Sequence, residues 1–283
     1  DTHSLVYDSE PITERLDIIG MPQVTLQTTA DASAANWFVR LSDVAPNGMV
    51  TFITGAGFNA NHVESSEKPI RLTQDKIYTL NVELHTTSWT FEKGHKIRVS
   101  VNNAQWPMIW PSPYPMTTSI RSNDQLKSFL TLPVPINPTP MVNPFPKPVA
   151  PPPKLPNYKS IASGTISGYP ELSDTQRDER TGTTTILARN SGRDQYPWGI
   201  RSYTELVTYT ANDVTPALSS VLSTYTTTVQ LKEEQKDQGL KWTGILDFSS
   251  DEKTFYYKFK RRLEKNGEVI REKEWQEEVP RLW

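Results

Sequence analysis

The chain of 283 residues is long enough for one large or two medium domains, and its formal net charge is −2. A charge this close to zero predicts neither a nucleic-acid partner nor an anionic membrane partner. The sequence contains no cysteine, which excludes disulfides, thiol catalysis and cysteine-ligated metals, and no apolar run is long enough to cross a bilayer.

Residues 1–132 contain a series of short β-like runs that are separated by turn signals. Val24 and Leu26 alternate with polar neighbours, and the run Asn36–Val44 leads into a turn that ends at Gly48. Short alternating strands joined by Gly, Asn and Pro turns are typical of a β-sandwich or a jelly roll. The runs before the central stretch are residues 5–12, 24–27, 36–44 and 51–58.

The central stretch, residues 76–107, predicts two core strands around one tight turn. In the first strand apolar side chains alternate with polar ones over residues 79–84, and the same alternation recurs over residues 96–101. Gly94 follows Lys93 between the two runs and marks the turn, because glycine accepts backbone angles that other residues avoid. Trp89 and Phe91 add large apolar area beside this turn.

Four motifs occur in order at residues 5–12, 36–48, 51–58 and 91–107. Their order and spacing resemble the C-terminal β-sandwich of the cocaine esterase/X-Pro dipeptidyl-peptidase (CocE/NonD) hydrolases. The resemblance implies a galactose-binding-like jelly roll. Two features depart from the family pattern: Lys96 replaces the usual Arg, and residues 109–115 replace an Asn-rich loop. The motif residues, for which the resemblance implies structural roles, are Tyr7, Ser9, Glu10, Leu41, Asp43, Gly48, Gly94, His95, Trp106 and Pro107.

A proline-rich segment at residues 133–156 predicts a boundary between two β regions. Proline removes backbone donors and favours extended conformations, so we interpret the segment as a semi-rigid linker. Pro148 and the run 151–153 also have the PxxP spacing of an SH3-domain ligand, but a linker is the favoured interpretation.

Residues 157–283 are predicted to form a second antiparallel β region. Asn266-Gly267 is a strong hairpin signal, because both central positions of that turn need a positive φ. Opposite charges on residues 260–262 and 272–278 predict a solvated face on the hairpin. Residues 212–217 and 275–281 resemble, more loosely, the final features of longer members of the same hydrolase family. The remaining predicted strands are residues 183–187, 203–209, 223–231, 242–248 and 254–263.

The sequence provides no candidate catalytic or metal-binding residues. A Gly-x-Ser-x-Gly nucleophile elbow is absent, so the resemblance implies that the catalytic α/β domain and its helical cap are missing from this chain. The four histidines do not have metal-ligand spacing, and neither a metal nor a cofactor is predicted. Adjacent carboxylates such as Glu277 and Glu278 would point to opposite faces of a strand.

Trp106, Trp110 and Tyr114 form an aromatic, proline-rich corner after the central stretch. Such a corner is suited either to stacking on sugars or to docking on a neighbouring domain. We favour docking, because the resemblance implies a sandwich that packs on a hydrolase domain.

The sequence thus predicts an all-β protein, and the resemblance implies that it is the non-catalytic C-terminal portion of a CocE/NonD-type hydrolase. The parent enzyme would hydrolyse esters or X-Pro peptide bonds, and this portion would buttress it and shape substrate access. The expected partner is an α/β-hydrolase catalytic half, fused upstream or separate, and self-association is left open. The alternative is a free-standing carbohydrate-binding module of the same fold class.

Overall fold

In the computed structural model the chain divides into two compact units, Asp1–Pro144 and Phe145–Leu282. The structure describes residues 3–123, 125–136, 149, 155–166, 174–232 and 239–282. The PxxP prediction at Pro148 and residues 151–153 therefore lies outside the described residues. Within the described residues, no helix is long and apolar enough to cross a bilayer.

The first unit is a jelly-roll sandwich of antiparallel strands. One layer has the strand order β1-β8-β4-β5, and the other has the order β10-β3-β6, with β9 also paired to β3. Strands β2 and β7 form a separate pair. The strands are β1 Leu5–Asp8, β2 Leu16–Gly20, β3 Gln23–Ala30, β4 Asn36–Val44, β5 Val50–Asn59, β6 Tyr78–Glu83, β7 Thr87–Phe91, β8 Lys96–Asn102, β9 Thr118–Ile120 and β10 Phe129–Thr131, and one short 3-10 helix spans Ala60–His62.

The core of this unit comes from alternating side chains of the two layers. Val39 and Leu41 of β4 and Leu80 of β6 are fully buried, and Val82 of β6 is almost fully buried. Phe91 of β7 belongs to the same cluster. Burying a side chain of this size stabilises the fold by about 1.5–3 kcal/mol relative to leaving it in water. The period-two pattern of the sequence is therefore the pattern of burial in β6.

The central stretch contains the predicted turn, but its two core strands do not pair with each other. Strand β6 pairs with β3, whereas β8 pairs with β1 and β4 in the opposite layer. Strand β7 lies between them in sequence and pairs with β2. The turn at Gly94 therefore carries the chain from one sheet to another, so the prediction of two strands around one turn was too simple.

The polar face of β3 is buried as well as its apolar face. Thr25 donates a hydrogen bond to the Oδ1 of Asn81 at 2.9 Å, and Thr79 donates to the Oε1 of Gln27 at 2.9 Å. These cross-strand bonds satisfy the buried polar groups, which would otherwise destabilise the fold. Alternation in the sequence marks the two faces of β3, and side chains of the neighbouring strand β6 satisfy the buried polar face.

In the described residues, the second unit forms one antiparallel sheet of eight strands, in the order β11-β13-β14-β15-β16-β17-β18, with β12 also paired to β13. The predicted hairpin is confirmed, since Asn266 has a φ of 51° and Gly267 a φ of 86° between β17 and β18. The strands are β11 Lys159–Ile166, β12 Asp174–Asp178, β13 Thr183–Tyr196, β14 Gly199–Asn212, β15 Ser220–Leu231, β16 Gly239–Ser250, β17 Thr254–Lys265 and β18 Glu268–Pro280.

The two faces of strands β16–β18 differ in chemistry. One face carries aromatic pairs, with Phe248 stacked on Phe255 and Phe259 stacked on Trp275. The other face carries the predicted charge pairs. Its cross-strand ion pairs are Lys258–Glu274 at 3.4 Å and Lys260–Glu272 at 3.1 Å. Such exposed pairs contribute about 0.2–1 kcal/mol each, so the aromatic contacts supply more of the sheet's stability.

The turn at Gly94 provides a test of the fold. Gly94 has a φ of 85°, and a Cβ at this position would meet only Pro46, at 3.7 Å. The cost of Gly94→Val is therefore backbone strain rather than a clash. We expect the substitution to lower the free energy of unfolding by about 1–3 kcal/mol in urea denaturation.

The matched variant is Gly94→Asn, because asparagine tolerates positive φ better than any β-branched residue. Its loss of stability should be clearly smaller than that of Gly94→Val. Equal losses in the two variants would contradict a cause in the backbone angle.

Candidate functional site

Asp43 is the centre of a buried hydrogen-bond cluster that we call the Asp43 clamp. Asp43 lies near the end of β4, and its side chain is only 6% exposed. Its Oδ2 accepts a hydrogen bond from the Nε1 of Trp89 at 3.0 Å, and its Oδ1 lies 2.8 Å from the Nδ1 of His95. The clamp therefore joins β4 to β7 and to the turn before β8.

The segment around Ser9 is fastened to the same turn. The backbone N–H of Ile97 donates to the Oγ of Ser9 at 2.9 Å, and this hydroxyl donates to the carbonyl oxygen of Glu10 at 2.7 Å. Backbone bonds from Ile12 to His95 and from Gly94 to Ile12 continue the pairing. Ser9, Glu10, Gly94 and His95 thus meet at one end of the sandwich, although the first two lie more than eighty positions before the others.

Two other motif residues have separate positions. Leu41 is fully buried in the core, and Gly48 has a φ of 85° in the turn between β4 and β5. The N–H of Gly48 donates to the carbonyl of Ala45 at 2.9 Å, which closes that turn. A structural role for Leu41 and for Gly48 stays a prediction. Leu41 packs in the core, and Gly48 forms a hydrogen bond within its turn.

The aromatic corner places its indoles at right angles. The Trp106 and Trp110 ring centroids are 5.3 Å apart with an interplanar angle of 81°, and both rings are half-buried. The Trp106–Pro107 peptide bond is cis. A sugar platform needs an exposed ring face, and this edge-to-face packing uses much of the indole surface within the corner itself.

Met108 and Ile109 are the most exposed large apolar side chains of this corner, at 58% and 43% exposed. Tyr114 is half-buried. A Cβ placed on Gly57 of β5 would lie 2.7 Å from the ring of Phe38 and 3.7 Å from the Cδ1 of Ile109. The corner therefore lies against the β4–β5 side of its layer, and its outer surface is aliphatic.

An apolar cleft of about 610 Å³ opens between the two layers of the sandwich. Tyr7 and Phe129 lie at its exposed rim, at 50% and 55% exposed. The volume is within the range of small-molecule sites, which are mostly apolar with a few polar groups. The residues that line the cleft are Tyr7, Asp8, Ser9, Val24, Leu26, Ile97, Val99, Val101, Ile120, Ser122, Ser128, Phe129, Leu130 and Leu132.

An ion pair at the cleft joins β1 to β8. Arg98 donates to both carboxylate oxygens of Asp8, at 2.7 and 2.9 Å. The guanidinium lowers the pKa of Asp8 below its ordinary value. Tyr7 and Ser9 were predicted from the sequence, but the cleft was not, because part of its opposite wall comes from β9 and β10, whose short runs have little periodic signal.

Among the described residues, no group of three or more His, Cys, Asp or Glu side chains is placed to hold a metal ion. The first unit is thus a β-sandwich with a hydrogen-bonded clamp at one end and an apolar cleft between its layers.

Residues 1–132 match the family model described as the X-Pro dipeptidyl-peptidase C-terminal non-catalytic domain. The first unit is accordingly a C-terminal, non-catalytic domain of the cocaine esterase/X-Pro dipeptidyl-peptidase (CocE/NonD) family, as the sequence motifs predicted.

Two curated relatives agree with this assignment. A protein of Mycobacterium bovis named "Putative serine esterase" is 31% identical over 37% of this chain, and the cocaine esterase of Rhodococcus sp. is 24% identical over 36%. The matches span 19% and 18% of those proteins, so this chain corresponds to about a fifth of their length.

Two solved structures superpose on part of this chain. An α-amino acid ester hydrolase superposes with a TM-score of 0.45 at 28% identity, covering 47% of this chain and 25% of that one. A CocE/NonD family hydrolase of Staphylococcus aureus superposes with a TM-score of 0.40 at 13% identity, covering 46% and 30%.

The Asp43 clamp makes a prediction about stability. Asp43→Ala leaves the partly buried Trp89 indole without its acceptor, so we expect a loss of about 1–3 kcal/mol in the free energy of unfolding. Asp43→Asn retains one acceptor oxygen and should lose less. Urea denaturation of the whole chain measures both effects.

A double-mutant cycle isolates the bond itself. Trp89→Phe removes the donor, and once it is absent Asp43→Ala should cost about 1 kcal/mol less than in the native background. Strictly additive effects would show that the carboxylate and the indole do not stabilise each other.

Proposed function

We propose that this chain is the accessory C-terminal portion of a serine hydrolase, and that it buttresses the catalytic domain and helps to shape substrate access. The observation that carries the proposal is the match of residues 1–132 to a domain family described as C-terminal and non-catalytic. The parent reaction is acyl transfer to water, on an ester or on an X-Pro peptide bond. The esterase names of the relatives support the first of these substrates.

The domain organisation follows from this role. We propose a jelly roll at residues 1–132, a linker at 133–156 and an antiparallel β extension at 157–283. Proline-rich segments hold an extended backbone without internal hydrogen bonds, which suits a spacer between two folded regions.

The proposed docking surface is the corner formed by Trp106, Trp110 and Tyr114. Exposed aliphatic groups on a corner stiffened by aromatic packing favour contact with another protein surface. Burying apolar surface there would stabilise the complex by about 25 cal/mol for each Å² that is removed from water. Met108 and Ile109 supply the exposed area. The perpendicular indoles provide a rigid base rather than a flat sugar platform, which supports docking over the carbohydrate-binding alternative.

The first prediction concerns activity. The purified chain alone should not turn over p-nitrophenyl esters above the buffer rate, and a fluorophosphonate probe should not label it, because no nucleophile elbow is present in the sequence. The matching catalytic half, produced separately, should hydrolyse the ester and take the label. Saturable turnover by the chain alone would overturn the assignment.

The second prediction concerns the docking surface. When the chain is titrated with that catalytic half in a calorimeter, the double variant Met108→Ala/Ile109→Ala should bind about tenfold more weakly, because it removes most of the exposed apolar area that docking would bury. Leu222→Ala, an exposed apolar site in the second unit, is the matched control and should bind normally. Unchanged affinity of the double variant would place the docking surface elsewhere.

A further inference from the structure

A groove on the second unit combines cations with tryptophan rings. Its cavity of about 340 Å³ lies on strands β16, β17 and β18. We call it the cationic groove. Its lining residues are Trp242, Arg261, Arg262, Leu263, Arg271, Lys273 and Trp275, and this lining includes no carboxylate.

The strand register explains why these residues meet. Trp242 pairs with Leu263, which pairs with Arg271, and these three form one row across the sheet. Arg261 pairs with Lys273 in the next row, and Phe259 pairs with Trp275 in the row after it. Residues directly opposite in an antiparallel sheet project from the same face, so the cations and the rings share one surface.

The rings hold the cations in place. The guanidinium of Arg261 lies 4.4 Å from the ring centre of Trp242, and the Nζ of Lys273 lies 4.5 Å from that of Trp275. Cation–π contacts of this kind contribute about 0.5–1 kcal/mol at exposed sites and limit the rotamers of the long side chains. The charged ends are therefore organised before any ligand binds.

On the opposite face of the same strands, the charged side chains form ion pairs. There, Lys260 pairs with Glu272 at 3.1 Å and Lys258 with Glu274 at 3.4 Å. Arg262 also borders the cavity, but its Nε lies 3.0 Å from Glu264. Among the described residues, no ion pair is formed by Arg261, Arg271 or Lys273. The lysines of the opposite face are neutralised by neighbouring glutamates, whereas the groove retains a positive charge.

The size and surroundings of the groove favour a small anion over a long one. A volume near 340 Å³ is at the lower end of the range for small-molecule sites. Glu277 lies two residues beyond Trp275 and projects from the same face. A nucleic acid or another long polyanion that extended beyond the groove would meet this carboxylate, and the net charge of −2 opposes it further.

We propose that the cationic groove binds a small ring-bearing carboxylate. The guanidinium of Arg261 or Arg271 has the planar fork that matches a carboxylate, Lys273 adds a point charge, and the indole of Trp242 offers apolar surface to the ring. Aryl carboxylates and hexuronates share this chemistry. The groove lies wholly within the second unit, so this inference stands apart from the accessory role of the first.

The test is calorimetric titration of the whole chain with sodium benzoate and sodium glucuronate at low salt. Benzyl alcohol and glucose are the neutral counterparts. At least one carboxylate should bind about tenfold more tightly than its neutral counterpart, since hydrogen bonds to charged groups are about twice as strong as neutral ones. The pattern of binding shows which class of ring the groove accepts: an aryl ring if only benzoate binds, a sugar ring if only glucuronate binds, and either ring if both bind.

Variants locate the binding. Arg261→Gln and Lys273→Gln retain most of the side-chain stem but remove the charge. Each should lower the affinity for the carboxylate about tenfold. Lys260→Gln, on the same strand but the opposite face, is the matched control and should bind normally. Trp242→Phe keeps an aromatic ring and should reduce binding less than either charge removal.

Four results would overturn the proposal. They are the failure of both carboxylates to bind, equal binding of the neutral counterparts, an equal loss in Lys260→Gln, and tighter binding of a short oligothymidylate than of either carboxylate. The last result would make the groove a nucleic-acid surface. Unaltered circular dichroism of each variant confirms that a loss of binding does not come from unfolding.

Discussion

The first unit depends on one buried carboxylate. Asp43 accepts hydrogen bonds from Trp89 on β7 and faces His95 in the turn before β8, so a single side chain joins three segments of the chain. The backbone of the same turn pairs with Ser9 and Ile12, which fastens the first strand of the sandwich. A buried acceptor is stable only when it is satisfied, and this requirement holds the turn at Gly94 in its observed position.

The two units reach stability by different routes. The first has a buried apolar core in which side chains from the two layers pack together. In the described part of the second, Ile186 and Ala217 are the buried apolar residues, and its strands of twelve to fourteen residues rely on long hydrogen-bonded ladders and stacked rings. A single sheet leaves much of its side-chain surface accessible, and the proposed carboxylate-binding groove lies on that surface.

The proposed roles follow from this difference. The sandwich has an aliphatic corner and an apolar cleft, both suited to contact with apolar groups. The long sheet offers the cationic groove, where Arg261 and Lys273 are oriented by tryptophan rings. Docking on a hydrolase and binding of a small carboxylate would therefore occupy separate surfaces, each built from the chemistry of its own unit.

Local features were determined by the sequence alone. The span of β4, the positive φ at Gly94 and the Asn266-Gly267 hairpin were all predicted, because each depends on residues that are neighbours in the chain. The motif order also identified the family of the first unit. Only the tertiary structure decided that β6 and β8 lie in different layers, that Trp89 donates to Asp43, and that Arg261 and Lys273 share a face with Trp242. Those contacts depend on strand pairing and register, which residues far apart in the chain set together.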